Sequence, residues 1–442
     1  MFSEHFIAFW GIITSTVYLL GFLHAAHAIF SVRSSKGAIA WTISLITFPW
    51  VAVPFYWVFG RNKFVGYVKA RRAGKFKIDD LAGKVTDSVN KHAAEFPENL
   101  PFLCNALKSL VSLPCTNGNS AELLVDGKQA FTAMIQCIRN AKRYVIVQYF
   151  IVEDGALAGE YKRLLGEAAE KGVKVYFMYD EIGSRCLSGK YIHELREAGV
   201  DITAFHSTRG FGNQFQINFR NHRKVTIVDG KTAFVGGLNL GDAYLSCDPR
   251  MGHWRDTHVK IEGPSVQCVQ LPFVEDWFWA TGKIPDLNWE TVPAENANRK
   301  LMIIPSGPAD DIESFQLFVL SLINSASKRL WIASPYFVPD TAVVAALKLA
   351  ALRGVDMRIM MPDKPDHFFV YLAGFSYYKE MLDAGVRLYR YREGFMHQKV
   401  MLIDTDAATI GTANLDNRSF HLNFETTVLA LGIAGIPSYF RL

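Results

Sequence analysis

The sequence has 442 residues, of which 50% are hydrophobic and 20% are charged. At roughly 150 residues per domain, this length predicts about three structural units, and the composition excludes a disordered or highly charged chain. Six scattered cysteines form no C-x-x-C pair, which argues against a zinc ribbon, a thioredoxin-like site and a dense disulfide framework. Free thiols in a reducing compartment are the simplest interpretation.

The positive charge of the chain lies in one segment. The formal net charge is +5, and seven cations with no acidic residue lie between Arg61 and Lys77. Without that segment, the 47 basic residues fall to 40 against 42 acidic ones, a net charge of −2. This distribution predicts no nucleic-acid-binding surface spread over the protein.

Two apolar segments open the chain, at residues 6–29 and 38–59, and neither contains Asp, Glu, Lys or Arg. Each has about the 20 residues that a membrane span needs, whereas a signal peptide has a shorter apolar core and a basic start. We predict a transmembrane helical hairpin over residues 1–60, which turns at residues 31–37. A basic juxtamembrane linker is predicted over residues 61–100.

The cations near the hairpin predict its orientation. The connecting loop has two, Arg33 and Lys36, whereas the segment after the second helix has seven. Since cytoplasmic loops carry the excess of Lys and Arg, the bulk of the chain is predicted to be cytoplasmic. The basic segment is then expected to lie on anionic headgroups, at about 1 kcal/mol per cation.

Beyond residue 100, the sequence repeats one β-α-β pattern. Residues 141–150 and 327–337 each carry a Lys-Arg pair before an apolar, β-rich run that is typical of a buried strand. A helical stretch follows each run and ends at Gly172 or Gly354, which suits a helix C-cap. The predicted helix and second strand span residues 155–171 and 173–179 in the first copy, and 341–353 and 355–361 in the second.

This duplication predicts the fold class. Two tandem α/β domains of mixed sheet, at residues 101–285 and 286–442, are expected to pack as a pseudo-dimer behind the hairpin. Their linker is predicted near residues 281–299, which contain Gly282, Pro285 and Pro293.

Residue types that can take part in catalysis recur at the same offsets in both copies. Counting from each histidine, a lysine falls at +2, an aspartate at +7, a glycine at +14 and an asparagine at +17. Five residues at the same relative positions in both copies indicate a shared function rather than chance. The two sets are His222, Lys224, Asp229, Gly236 and Asn239, and His397, Lys399, Asp404, Gly411 and Asn414.

Strand geometry gives these offsets a meaning. Residues two apart in a strand point to the same face, so each histidine should project with its lysine. Asp229 and Asp404 lie an odd number of residues after the histidines, so they should point to the other face of the strand, and each starts a turn-like sequence. Both features favour a structural role for these aspartates. Asn239 and Asn414 follow a returning strand that can bring them alongside the His/Lys pairs.

Each copy alone supplies half of a phosphodiester site. Together the copies offer two cations and two amides for the non-bridging phosphate oxygens, and two histidines for proton transfer or attack. Because one histidine must be neutral and the other protonated, nearby carboxylates should matter. Asp256 and Glu425 are the predicted supporting carboxylates, and no metal ligand cluster or cofactor site is predicted.

With these paired motifs, the chain resembles the phospholipase D superfamily, whose signature is a duplicated His-x-Lys-x4-Asp with a following Gly and Asn. Within it, the sequence is similar to the bacterial cardiolipin synthases. The resemblance implies that His222, Lys224, Asp229, His397, Lys399 and Asp404 form the catalytic set and that Asn239 and Asn414 bind substrate phosphate. The strings that carry it span residues 216–224, 254–256, 335–340, 414–420 and 423–425.

The resemblance also implies a ping-pong phosphatidyl transfer without a metal. His222 would form a phosphohistidine, and His397 would act as general acid and base. Two phosphatidylglycerol molecules would give cardiolipin and glycerol at a bacterial inner membrane, with a multi-pass anchor and cytoplasmic catalytic domains. Anionic membrane lipids are the implied partners, and the oligomeric state stays open.

Three alternatives remain open. A phospholipase D hydrolase, or a transferase with another alcohol acceptor, would use the same residues. A nuclease would need a broadly basic surface, and a non-catalytic membrane scaffold would not need two intact motifs. The aromatic stretch at residues 367–378 could line an acyl-chain groove or pack against its own domain.

The end of the sequence carries a further expectation. Relatives continue past the final strand into a helix, whereas this sequence ends at Leu442. A missing helix predicts uncovered apolar surface on the second domain, and with it lower stability or activity.

Overall fold

The computed structural model describes residues 2–32, 34–60, 63–73, 75–97, 101–206, 217–295 and 297–432. The chain divides into two compact units. Unit 1 comprises residues 1–70 and 207–220, and unit 2 comprises residues 71–206 and 221–442. Arg33, Arg61 and Gln216, which enter the orientation and family arguments, lie outside the described residues, as does the chain end at 433–442.

The amino-terminal helices form the predicted hairpin with a break in its second arm. In α1 (Phe2–Ser31), the segment His5–Ser31 is the one described helix that is long and apolar enough to cross a membrane. The second arm is divided at Phe48, because Pro49 disfavours a helical backbone in the residue before it. The helices after α1 are α2 (Ser35–Thr47), α3 (Pro49–Phe59) and α4 (Val65–Ala73).

Polar side chains are paired between the arms of the hairpin. The His27 Nδ1 atom lies 2.7 Å from the Tyr56 hydroxyl, and the indole N–H of Trp57 donates to Nε2 of His24 at 2.8 Å. Gly21 allows a close approach, because a Cβ atom there would lie 2.4 Å from the Leu45 carbonyl oxygen. These contacts hold the helices of unit 1 together.

The first half of the duplicated region is an α/β layer. Its elements are α5 (Lys75–Asn90), α6 (Pro101–Leu110), β1 (Thr116–Val125), α7 (Asp126–Arg139), β2 (Tyr144–Tyr149), α8 (Ala156–Glu170), β3 (Lys174–Asp180), α9 (Gly189–Glu197), β4 (Asp201–Phe205), β5 (Arg220–Asn221), β6 (Val225–Val228), β7 (Thr232–Gly236), a 3-10 helix (Asp242–Leu245), β8 (His253–Arg255), β9 (Thr257–Glu262) and α10 (Ser265–Thr281).

The second half repeats this succession. Its elements are β10 (Arg299–Ser306), α11 (Ser314–Ser325), β11 (Arg329–Ala333), β12 (Phe337–Val338), α12 (Thr341–Leu352), β13 (Asp356–Pro362), α13 (Phe368–Asp383), β14 (Arg387–Tyr391), β15 (Gly394–Met396), β16 (Val400–Ile403), β17 (Ala407–Gly411), β18 (Leu415–Asp416), α14 (Asn417–His421) and β19 (Asn423–Leu431).

The predicted β-α-β units are confirmed in both halves. β2 and β3 pair in parallel and α8 lies between them in the chain, while β11, α12 and β13 repeat the arrangement. Gly172 and Gly354 follow these helices with φ of +86° and +90°, a conformation that glycine adopts at least cost.

The two halves of unit 2 share one continuous sheet. Its strand order is β14-β13-β11-β16-β17-β19-β10-β1-β9-β7-β6-β2-β3-β4, which runs through equivalent strands in reverse order on either side of a central β10–β1 seam. Asn119 supports the seam, since its buried amide donates to the Arg299 carbonyl at 3.2 Å and accepts from the Ser265 N–H at 2.8 Å. The expected pseudo-dimer is therefore joined edge to edge.

Candidate active site

The two His-x-Lys segments lie buried in unit 2, immediately before β6 and β16. His222 and His397 are only 7% and 6% exposed. The Lys224 ammonium donates to the His222 carbonyl at 2.7 Å, and the Lys399 ammonium donates to the His397 carbonyl at 2.6 Å. Each lysine is therefore held beside the histidine of its own motif.

Each histidine finds its carboxylate in the other half of the molecule. Nδ1 of His222 lies 2.9 Å from the Glu425 carboxylate, and Nδ1 of His397 lies 2.8 Å from the Asp256 carboxylate. Glu425 follows the second motif and Asp256 follows the first, so the pairs cross between the halves. The site exists only when both halves are folded together.

Backbone contacts repeat the same exchange. The His222 N–H donates to the Phe424 carbonyl at 2.9 Å, and the His397 N–H donates to the Arg255 carbonyl at 2.8 Å. Short parallel pairing of β15 with β8 continues the second contact. Main-chain and side-chain atoms of each histidine are thus fixed by the opposite half.

The two buried carboxylates are kept ionised by their partners. Burial acts to raise the pKa of Glu425, but the charge and hydrogen bond of His222, with Lys224 and Thr412, lower it to about 2. Ser419 and Asn423 also donate to Glu425, at 2.9 and 3.2 Å.

The pKa of Asp256 is lowered in the same way. Burial acts to raise it, but the hydrogen bond and charge of His397, together with Lys399, have the larger combined effect. Both carboxylates are therefore anions able to orient an imidazole.

The surroundings of the two histidines differ. Burial lowers the pKa of His222 to about 4; Lys224 and Lys399 act in the same direction, and Glu425 opposes them. Burial and Lys399 also lower the pKa of His397, but Asp256 and a second carboxylate, Asp366, oppose that shift. The neutral imidazole is thus favoured by burial at both histidines, and at His397 a second carboxylate opposes that preference.

Burial also moves the lysines toward neutral pH. It lowers the pKa of Lys399 to about 8 and that of Lys224 well below its usual range, although Asp256 and Glu425 oppose both shifts. A bound phosphate would act in the same direction as these carboxylates and stabilise both ammonium groups, so the pair of lysines forms a site that would bind an anion.

The aspartates of the two motifs hold backbone rather than imidazoles. The Asp229 carboxylate accepts the N–H groups of Lys142, Arg143 and Tyr144 at 2.7–3.0 Å. Asp404 accepts those of residues 327–329 at 2.7–3.0 Å in the same geometry. Their φ angles of +55° and +51° place both in turns, so the hydrogen bonds favour the structural role.

The motif asparagines lie in the same buried region but have different partners. The Asn239 side chain accepts from the Ile151 N–H at 3.1 Å and donates to the Tyr244 hydroxyl at 2.7 Å. In contrast, Oδ1 of Asn414 is buried without a hydrogen-bond partner among the described residues. The side-chain oxygen of Asn239 thus already accepts a hydrogen bond, whereas that of Asn414 accepts none from a described residue.

The motif glycines permit close strand approach. A Cβ atom on Gly236 would lie 2.4 Å from Nδ1 of His258, and one on Gly411 would lie 2.6 Å from the Thr426 carbonyl oxygen. Gly237 has the same constraint, since its Cβ would lie 2.1 Å from Oδ1 of Asp256. A glycine at +14 is thus needed because a side chain there would clash with the strand that pairs with β7 or β17.

Sequence reasoning missed two titratable residues near the site. Burial lowers the pKa of His258 to about 4, and its Nδ1 has no hydrogen-bond partner among the described residues. Asp366 accepts hydrogen bonds from the Tyr336 hydroxyl and from the His367 N–H. His258 lies two residues after Asp256, whereas no signal in the sequence singles out Asp366.

Comparison with known proteins identifies the family. A family model described as cardiolipin synthase, PLD-like domain, matches residues 134–264 and 319–432. Cardiolipin synthase A from Pseudomonas entomophila is 44% identical over 96% of this chain and 88% of its own length. The corresponding protein of Pseudomonas putida strain W619 is 45% identical over the same shares.

A solved structure supports the fold. A phosphatidylserine synthase from Haemophilus influenzae is similar over 75% of this chain and 86% of its own, with a TM-score of 0.56 and 16% identity. Together with the duplicated fold and the crossed site, the family match defines an enzyme of the phospholipase D type. Within that class, the chain belongs to the cardiolipin synthase family.

We expect acid to destabilise the folded protein through its buried histidines. A free histidine binds a proton near pH 6.5, whereas folded His222 and His258 do so only near pH 4. Stability is therefore lost as the pH falls from about 6.5 to about 4, by up to about 1.4 kcal/mol per pH unit for each histidine. Glu425 adds its own loss as the pH falls from about 4.5 toward 2, because its pKa is lowered from 4.5 to about 2 in the folded protein.

The measurement is the apparent Tm of the full chain in detergent across this pH range. His258→Gln should reduce the slope of Tm against pH, while the exposed control His193→Gln should not. A Tm that stays constant between pH 6.5 and 4 would contradict the assignment of buried neutral histidines.

Proposed function

We propose that the protein transfers a phosphatidyl group between two phosphatidylglycerol molecules and so makes cardiolipin and glycerol through a phosphohistidine. The observation that carries this proposal is the crossed pair of His–carboxylate contacts, which unites both motifs in one site. The Cardiolipin synthase A relatives support the choice of substrate.

In the first step, His222 acts as the nucleophile. Its Nδ1 faces Glu425, which leaves Nε2 for the phosphorus, and its low pKa keeps it neutral. A bond forms between Nε2 and phosphorus while the bond from phosphorus to the glycerol oxygen breaks. We assign to His397 the proton that the leaving oxygen receives, because Asp256 and Asp366 act against the lowering of its pKa by burial and Lys399 and so stabilise the imidazolium.

In the second step, His397 acts in the opposite direction. It takes a proton from a hydroxyl of the second phosphatidylglycerol, whose oxygen attacks the phosphorus as the bond to His222 breaks. Throughout, Lys224 and Lys399 neutralise the non-bridging oxygens, and the amides of Asn239 and Asn414 donate to them. The product leaves both histidines in their starting protonation states.

The hairpin provides the membrane anchor in this proposal. Confining the site at the bilayer raises the effective concentration of a lipid substrate without any new contact. We propose a multi-pass anchor in a bacterial inner membrane with the catalytic unit on the cytoplasmic side, in line with the cations near the apolar segments. One of those cations, Arg71, pairs with Glu275 at 3.2 Å and is therefore not free for headgroups.

The substrate assignment is tested with purified full-chain protein and phosphatidylglycerol as the only lipid. We expect cardiolipin and glycerol in equal amounts, measured by thin-layer chromatography and an enzymatic glycerol assay. Phosphatidic acid as the main product would instead identify a hydrolase. Added serine or ethanolamine should not compete; if either enters the product, the acceptor assignment is wrong.

The histidine roles are tested with a phosphorus-labelled phosphatidyl donor whose leaving group is p-nitrophenol. This alcohol leaves without a proton, so His397→Asn should still form an alkali-stable, acid-labile adduct, whereas His222→Asn should form none. With phosphatidylglycerol as donor, both variants should lose about 10²-fold or more in kcat. An adduct on His397, located by mass spectrometry, would reverse the roles.

The pH dependence of kcat/KM tests the lysines. Lys399 loses its charge as the pH rises through about 8, so kcat/KM of the unaltered enzyme should fall above that pH. Lys399→Arg should have a lower maximum but no fall near pH 8, because a guanidinium stays charged. Lys379→Arg, at an exposed position, serves as the control and should follow the unaltered enzyme. A fall at the same pH in Lys399→Arg would assign it to another group.

A further inference from the structure

The helix α13 exposes an apolar face on the catalytic unit. Phe368, Phe369, Leu372 and Phe375 are 60%, 85%, 47% and 46% exposed, and Leu382 is 55% exposed. Positions 368, 372, 375 and 382 fall on one side of a helix, because they are spaced by three, four or seven residues. The opposite side holds the buried residues Gly374 and Met381, so the helix is packed on one face only.

The exposed face changes character along the helix. Residues 368–378 contain no charged side chain, whereas the last turns contain Lys379, Glu380 and Asp383. Lys379 and Asp383 pair at 2.7 Å and are both exposed to solvent. The apolar half is thus the amino-terminal half, and the half that suits water is the carboxyl-terminal one.

The apolar half begins close to Asp366. Asp366, whose charge acts on both His397 and Lys399, lies two residues before α13. A pocket beside it is lined by Tyr336, Asp366 and His367 together with Tyr371 of the helix. The first two turns of α13 therefore line one wall of a pocket that also contains Asp366.

We propose that the amino-terminal half of α13 inserts into the headgroup region of the bilayer and presents the mouth of the active site to its lipid substrate. This proposal rests on the proposed function, because it takes its occupant, a phospholipid bilayer, from the lipid nature of the substrate. The pocket that the helix shares with Asp366 and the apolar-to-charged gradient favour a membrane over a second protein, which would be expected to cover the whole face.

The inserted residues are assigned from exposure. Phe368 and Phe369 are the most exposed of the uncharged run, and their rings contact each other at a centroid distance of 6.0 Å. Phe375 is held instead by the Arg390 guanidinium, 5.1 Å from its ring centroid, and is left out of the test. Since Phe368 and Phe369 are exposed, their replacement by serine should leave the apparent Tm unchanged.

The kinetic test uses the full chain in vesicles with a varied mole fraction of phosphatidylglycerol. Phe368→Ser/Phe369→Ser should raise the apparent KM about three- to tenfold. With dihexanoyl-phosphatidylglycerol below its critical micelle concentration, the same variant should equal the unaltered enzyme within about twofold. Leu382→Ser, on the same side of the helix but in its charged half, is the matched control and should change neither value.

A second readout does not depend on turnover. The full chain is placed in vesicles of phosphatidylcholine that bears a photoactivatable diazirine on its acyl chain, and cross-linked peptides are identified by mass spectrometry. Cross-links at residues 368–372 and none at residues 379–383 are expected. Cross-links without any cardiolipin formation would keep the membrane contact and refute the proposed function.

Three results would overturn the membrane contact. The first is cardiolipin synthesis without cross-links to α13. The second is an equal loss of activity toward the monomeric short-chain lipid, which would place the phenylalanines in the active site itself. The third is a change in molar mass of the serine variant by light scattering in detergent, which would make this face a contact between copies of the chain.

Discussion

The exchange of carboxylates between the two halves is the interaction on which the site depends. Glu425 and Asp256 are fully buried, and a buried carboxylate without its cation is strongly destabilising. Neither half can supply both members of a pair, because each histidine meets the carboxylate that follows the other motif. The duplication is therefore an obligatory part of the structure, and the β1–β10 seam aligns the two halves so that the exchange occurs.

The symmetry between the two histidines is imperfect. Two identical histidines could share a single proton, but nothing would fix which of them is neutral; here the surroundings of His222 and His397 differ. The difference arises outside the shared motif. Lys399 lowers the pKa of both His222 and His397. The carboxylate of Asp366, in contrast, is among the main influences on the pKa of His397 and not among those on the pKa of His222. The repeated motif supplies the two histidines, and the residues around them make their surroundings different.

Local patterns in the sequence predicted much of this structure, whereas the pairing of each histidine with its carboxylate did not follow from them. The apolar runs, the glycine caps and the constant offsets depend on neighbouring residues, so they predicted the β-α-β units and the two His/Lys sets. Asp256 and Glu425 were predicted as supporting groups, yet each follows a motif in its own half. Which histidine each one meets depends on strand order across the whole sheet. The division of the second apolar arm at Phe48 likewise depends on how Pro49 acts within that context.

Burial of the site creates a problem of access that the exposed helix would solve. His222 and His397 are almost fully buried, so a substrate phosphate has to leave the membrane surface and enter the protein. Drawing the acyl chains after it would cost about 0.8 kcal/mol for every methylene group exposed to water. A mouth that lies within the headgroup region avoids this cost, because the phosphate can move inward while the chains stay in the bilayer. The aromatic half of α13 is on this argument part of how a buried, charged site can act on a lipid.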